Sequence, residues 1–253
     1  MSLFRRIDLL VPPSVSEPEA LNPLLEFLAG LASRQGAQLR LLQAASVATA
    51  ETPAASAATP DRKPLTAIAW DAPDVLLHPP NLLVCDRDSL LRGAELLRLW
   101  QSAGDLPAVL VLERLTPTDT MQVSGLLVLD DRGATGEDAL WIGVTLAQQF
   151  QSRLLITGLA GDEHASSPGG ATPIGATAES YPFWERLSHL DWRTIAGGVR
   201  VSPLAELTPA TLAELISAEQ LTLSILPTGA LDEFAAVPGM LLLLPRRSSP
   251  EAH

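Results

Sequence analysis

The chain has one cysteine, one lysine and one tyrosine in 253 residues, and aromatic residues make up only 4% of it. A single cysteine, Cys85, excludes an intramolecular disulfide and agrees with a reducing compartment. With Lys63 the sole lysine and the arginines scattered, no cationic cluster exists to release counterions from a polyanion. The net charge of −12 points the same way, so nucleic acid is not an expected partner. The apolar runs, such as Val109–Leu112 and Met240–Leu244, are strand-sized. None approaches the roughly 18 residues of a spanning helix. The N-terminal stretch MSLFRRIDLLVPP stops at Pro12-Pro13, too soon for a signal segment, and the expected location is cytoplasmic.

Recognisable catalytic and metal-binding sets are missing as well. His78, His164, His189 and His253 show no ligand spacing, and HExxH, CxxC and Gly-x-Ser-x-Gly do not occur. No metal site and no catalytic residue is expected. His189, near Trp184 and Trp192, reads as a packed or surface histidine. Cys85 at a strand end reads as a small core residue, and Asp232-Glu233 as a solvated helix start. The loop His164–Ala176 is glycine- and serine-rich but lacks the Gly-Lys-Ser/Thr ending of a phosphate cradle, and reads as a flexible surface loop.

What is present is a repeat. A strand–loop–helix–strand unit at Ile7–Leu42 returns at Gly125–Thr157. Aligning Ala32 with Ala147 sets Leu39–Leu42 opposite Leu154–Thr157 without a gap. Hydrophobic residues are 47% of the chain, enough for two small cores. Domains at residues 1–115 and 122–247 are expected, joined at Thr116–Met121.

Alternation of apolar strands with amphipathic helices predicts parallel sheets with right-handed crossovers. In the first half the pattern gives strands at Asp8–Val11, Gln38–Gln43, Thr66–Trp70, Leu82–Cys85 and Ala108–Glu113. Helices are expected at Glu19–Gln35, stopped by Gly36, and at Ser89–Ala103. Residues 45–64, rich in Ala, Thr and Pro, read as a mobile excursion. In the second half strands are expected at Gly125–Leu129, Arg153–Gly158, Gly198–Val201, Leu221–Leu226 and Met240–Leu244. Helices are expected at Glu137–Gln151, Phe183–Asp191 and Ala210–Ala218, the last capped by Thr208, with a loop over residues 161–180. Ligands of such sheets bind beyond the carboxyl ends of the strands, near the switch point. The loops that matter are Pro12–Pro18 and Asp130–Gly136 after the first strand, and Asp86–Ser89 and Pro227–Gly229 after the fourth.

An apolar strand, an acidic turn, a helix ending in Leu-Ala and a strand of the form Gly-Ala-x-Leu-x-Leu-Leu together resemble the universal stress protein family. Gly36-Ala37-Gln38-Leu39-Arg40-Leu41-Leu42 carries the last element, and taking Asp131 as the family's acid places Ala139-Leu140 and Leu146-Ala147 at its helix positions. The resemblance implies two tandem five-stranded parallel α/β domains of the adenine-nucleotide α-hydrolase-like kind, packed as a pseudo-twofold pair. Nucleotide-binding members carry Gly-x2-Gly-x9-Gly-Ser/Thr after the fourth strand. Here Asp86 and Ser89 stand at the two leading glycine positions, and the second half, SILPTG, reaches its last strand too soon for the full loop.

Asp131 is the site position the resemblance carries over, as a nucleoside contact, with Asp130 and Gly229 as weaker neighbours. Read from the residues alone, Asp131 is a turn acid or first-turn carboxylate favoured by the helix N-terminus that follows. The matching first-half loop, Pro-Pro-Ser-Val-Ser-Glu-Pro, is expected to hold a serine in its place. The implied function is a non-catalytic regulatory or sensing protein without an obligatory cofactor, with weak or no binding of ATP or another adenine nucleotide. Two alternatives stand beside it: a soluble regulatory region of a cation/proton antiporter, and a nucleotide-binding switch or ATPase using the second cleft. Ala108–Leu112 and Met240–Leu244 are aliphatic throughout, and pairing of these two strands within the chain is expected. A homodimer and a membrane-transporter partner are further expectations.

Overall fold

The computed structural model describes residues 3–12, 15, 18–43, 66–89, 96–98, 100, 106–115, 121–131, 134–158, 189–227 and 237–245. The chain divides into two compact units, Met1–Gln122 and Val123–His253. Among the described residues of the first unit five strands occur in chain order: β1 (Arg6–Leu10), β2 (Gln38–Gln43), β3 (Thr66–Ala69), β4 (Leu82–Asp86) and β5 (Ala108–Leu112). All pair in parallel, in the spatial order β3-β2-β1-β4-β5. The second unit has β6 (Gly125–Leu129), β7 (Arg153–Thr157), β8 (Val199–Val201), β9 (Leu223–Pro227) and β10 (Met240–Leu244), again parallel, in the order β8-β7-β6-β9-β10.

The helices follow from local sequence. Helix α1 (Asn22–Gln35) buries Leu24, Leu28, Leu31 and Ala32, which recur at three- and four-residue spacing along one face. It ends at Gly36, whose φ of 64° lets its amide and that of Ala37 close back on Ser33 and Ala32. Residues 18–21, expected to begin this helix, form a separate 3-10 turn. Helix α3 (Ala134–Phe150) starts three residues earlier than its periodicity predicts and lies close on β6. A side chain at Gly143 would run into Val128.

Helix α4 (Pro209–Ala218) begins where Thr208 predicts. The Thr208 hydroxyl accepts the Thr211 amide at 3.1 Å, and the Thr211 hydroxyl accepts the Thr208 amide at 3.0 Å. Helix α2 (Pro73–Leu77) has no counterpart in the sequence reading. It is one short turn started by Pro73, and Val75 is its only buried residue.

The expected helix at Ser89–Ala103 is helical where it is described, at Leu96–Arg98 and Trp100, and Arg87–Ser89 already turn helically after β4. Residues 189–191, the described end of the expected helix Phe183–Asp191, are not helical; a 3-10 turn follows at Trp192–Thr194. The excursion at 45–64, the loop at 161–180, His164, Trp184, Gly229, Asp232-Glu233 and His253 lie outside the described residues, as does the joint apart from its last residue, Met121. Among the described residues no helix is long and apolar enough to cross a membrane.

The two cores are built mainly of aliphatic side chains. Ile7, Leu9, Leu42, Leu83 and Val84 are fully buried in the first unit, and Leu126, Leu127, Val128, Ile156 and Ile225 in the second. Strands covered on both faces are expected to be built this way.

Candidate functional site

In each unit the first strand leads to a neighbour on one side and the fourth to a neighbour on the other. A crevice therefore opens at the carboxyl ends of β1 and β4, and of β6 and β9. Matching hydrogen bonds fix the equivalent residues there. The Val11 amide donates to the Leu42 carbonyl at 2.8 Å, and the Asp130 amide to the Thr157 carbonyl at 2.8 Å. Val11 thus corresponds to Asp130 and Leu42 to Thr157. Pro12, not a serine, stands opposite Asp131. The loop from this point to the helix end is four residues longer in the first unit, so counting back from the aligned helices misplaces the register.

At the second crevice Asp130 is buried, 1% exposed, whereas the neighbouring Asp131 is exposed. The Asp131 carboxylate accepts the amide of Gly136 at 3.0 Å, inside the first turn of α3. That contact neutralises one of the amides a helix start leaves unpaired, and the helix dipole favours the negative charge there. Gly136 is needed for it. A Cβ on that residue would collide with the Asp130 carboxylate and come within 2.7 Å of the Asp131 Oδ1. The Thr157 hydroxyl closes the neighbouring strand end by donating to the Ser202 carbonyl at 2.6 Å. The structure therefore brings Asp130 and Asp131 together beside Gly136.

At the first crevice Asp86 ends β4, and its carboxylate accepts the Ser89 amide at 2.7 Å. The acid at the first glycine position thus holds the amide of the residue at the second. Next to it, Cys85 is fully buried, and burial, with the charge of Asp86 adding to it, pushes its thiol up to about 12. A thiol so placed stays protonated and is a packing residue. His189 is exposed. Among the described residues no group of three His, Cys, Asp or Glu side chains could hold a metal ion.

The charged feature that sequence reasoning missed lies away from both crevices. Asp8 in the middle of β1 and Arg40 in the middle of β2 are register partners, and both are buried. Arg40 Nε donates to Asp8 Oδ1 at 2.9 Å and Arg40 Nη2 to Asp8 Oδ2 at 2.6 Å. Its third nitrogen, Nη1, donates to Asp74 of α2 at 2.9 Å. The bond to Asp8 raises the Arg40 pKa despite burial. Arg6 stands at the rim: its Nε is 3.9 Å from Asp8 and its Nη2 donates to the His78 carbonyl. Desolvation, and then the charge of Arg40, lowers the Arg6 pKa. The signal was an acid and a base alone within two aliphatic strand runs, IDLL and LRLL, at positions a parallel register sets side by side.

No family model and no curated protein matches the sequence. Solved structures that resemble it over nearly its whole length include the following two. One is a universal stress protein from Archaeoglobus fulgidus DSM 4304, 12% identical, with 97% of each chain covered and a TM-score of 0.60. The other is a functionally unknown protein from Pseudomonas aeruginosa PAO1, 11% identical, with 96% of this chain and 92% of that one covered and a TM-score of 0.57. At such identities the likeness is one of fold, and the chain has the fold of the universal stress proteins.

Proposed function

We propose that the protein is a tandem of two universal-stress-type domains acting as a non-catalytic regulatory or sensing module, with weak or no binding of adenine nucleotide. The tandem reading draws support from two compact units with the same parallel strand order, and from a likeness that extends over 97% of both chains. The observation that carries the functional reading is the Asp86–Ser89 contact at 2.7 Å. Phosphate-binding loops offer bare backbone amides to the anion, commonly at a helix N-terminus. Here a carboxylate takes the amide of Ser89 and adds a negative charge where phosphate oxygens would approach. In the second unit Asp131, in the loop after the first strand, likewise accepts a helix-start amide, that of Gly136. At the first crevice an acid thus stands where a polyphosphate would approach, and the matching loop of the second unit lies outside the described residues beyond Pro227.

One alternative keeps a specific observation of its own. Asp131 is exposed at the carboxyl end of β6, and a carboxylate there is placed to accept a ribose hydroxyl, as in a nucleotide-binding switch. Mass spectrometry of small molecules released on denaturing the purified protein tests between the two. The regulatory reading expects no stoichiometric ATP or AMP in the extract, and recovery of either at about one per chain would overturn it.

Pairing of β5 with β10 within the chain belongs to the same proposal. Each is aliphatic and has one neighbouring strand inside its own unit. An uncovered aliphatic edge invites aggregation. Spin labels on the two strands that report a separation well beyond the roughly 5 Å of paired strands plus label length would contradict it.

A further inference from the structure

Helix α2 is held onto the first unit in an unusual way. Its counterpart in the second unit, α4, sits before the equivalent strand and is ten residues long, with Leu212 and Ile216 buried. Helix α2 is five residues long, buries only Val75, and leaves Leu77 74% exposed. One turn with one buried side chain does not retain itself by apolar burial or helix propensity. What retains it is polar. The Asp74 carboxylate accepts from Arg40 Nη1 at 2.9 Å, the Val75 carbonyl accepts the Trp100 indole N–H at 3.2 Å, and the His78 carbonyl accepts from Arg6.

These ties differ in how readily they release. The Arg40–Asp8 half of the cluster is bidentate and buried, with Asp8 wholly inaccessible. The Asp74 side chain is 61% exposed. Water and salt therefore reach the Arg40–Asp74 contact but not the Arg40–Asp8 contact. Losing Asp74 leaves Arg40 still neutralised, so the sheet suffers no unpaired buried charge.

We infer that α2 is a charge-held latch: Asp74 releases from Arg40 as a unit with its helical turn, uncovering the Trp100 side of the sheet while the Asp8–Arg40 pair stays closed. An ion pair with one partner largely in water contributes about 1 kcal/mol, which corresponds to about a fivefold change in a local opening equilibrium. Such opening is read residue by residue in hydrogen exchange.

The test is amide hydrogen exchange by NMR on the full chain, wild type against Asp74→Asn, at low salt and in 1 M NaCl. The amides of Val75, Leu76 and His78, which close this turn onto Ala72 and Asp74, report on the latch. After correction for intrinsic rates they are expected to exchange about fivefold faster in Asp74→Asn. Wild type should approach the same rates in 1 M NaCl, and the variant should respond little to salt. The β1 and β2 amides should keep their protection throughout. Equal protection of the α2 amides in both proteins at both salts would overturn the inference, and so would a loss of protection shared by β1 and β2, which would make Asp74 part of the global fold.

Discussion

The paired strands β1–β2 and β6–β7 have the same backbone and opposite interiors. Residue for residue, Ile7-Asp8-Leu9 paired with Leu39-Arg40-Leu41 corresponds to Leu126-Leu127-Val128 paired with Leu154-Leu155-Ile156. One unit buries an ion pair where the other buries two leucines. The surroundings match as well. The Asn81 side chain accepts the Arg5 and Arg6 amides at 3.1 Å each, and the Thr222 hydroxyl accepts the Ser124 amide at 3.1 Å, at the same place before the first strand. The fold therefore does not require the charges. A buried pair is weak evidence for stability, because desolvation consumes most of its attraction. What it does provide is a third donor, Nη1, to which a short helix can attach, and the leucine unit has a longer, apolar helix instead.

Arg40→Leu strands the Asp8 carboxylate in the core and is expected to cost about 3–5 kcal/mol in urea unfolding. Replacing both partners, Asp8→Leu with Arg40→Leu, gives the first unit the residues of the second. It should recover most of that loss or exceed wild-type stability. If the double variant were as unstable as the single one, the two interiors would not be interchangeable.

A second contrast lies one strand over, where Cys85 corresponds to Leu226. The thiol, pushed up to about 12 by burial, keeps its proton in the folded state after the unfolded chain has lost its own. Its contribution is complete below the ordinary thiol pKa of about 8.5 and is lost as pH rises toward 12. Stability should therefore fall by about 1.4 kcal/mol per pH unit more steeply in wild type than in Cys85→Ala across that window. Parallel pH profiles for the two proteins would show that Cys85 ionises without unfolding.

The smallest effect concerns the helix ends. Gly36 closes α1 with φ 64°, and Gln151 occupies the equivalent position after α3 with φ 54°. A side chain in the left-handed region costs about 1–2 kcal/mol. Gln151→Gly should raise the melting temperature slightly and Gly36→Gln should lower it, with changes of opposite sign in thermal unfolding. Changes of the same sign would mean that the two ends are not equivalent.

The strands and long helices were legible because aliphatic runs and helical spacing are local signals. The helix stop at Gly36 and the cap at Thr208 were legible for the same reason. Helix α2 was not, since five residues between prolines carry no period and a single buried valine marks no face. The Asp8–Arg40 pair spans 32 residues and depends on strand register, which a pattern within one segment does not contain. At the crevice, Asp131 was visible as an acid after a strand, but its bond to Gly136 needed the backbone. The expected serine opposite Asp131 was displaced by the longer first loop, which puts Pro12 there instead.

The sharpest test of the account is calorimetric titration of the full chain with ATP and with AMP, on wild type and Asp131→Ala. With Asp86 holding the Ser89 amide, no micromolar binding is predicted for either nucleotide, and the two proteins should behave alike. Micromolar ATP binding by wild type that is abolished in Asp131→Ala would contradict the account and establish the second crevice as a nucleotide site.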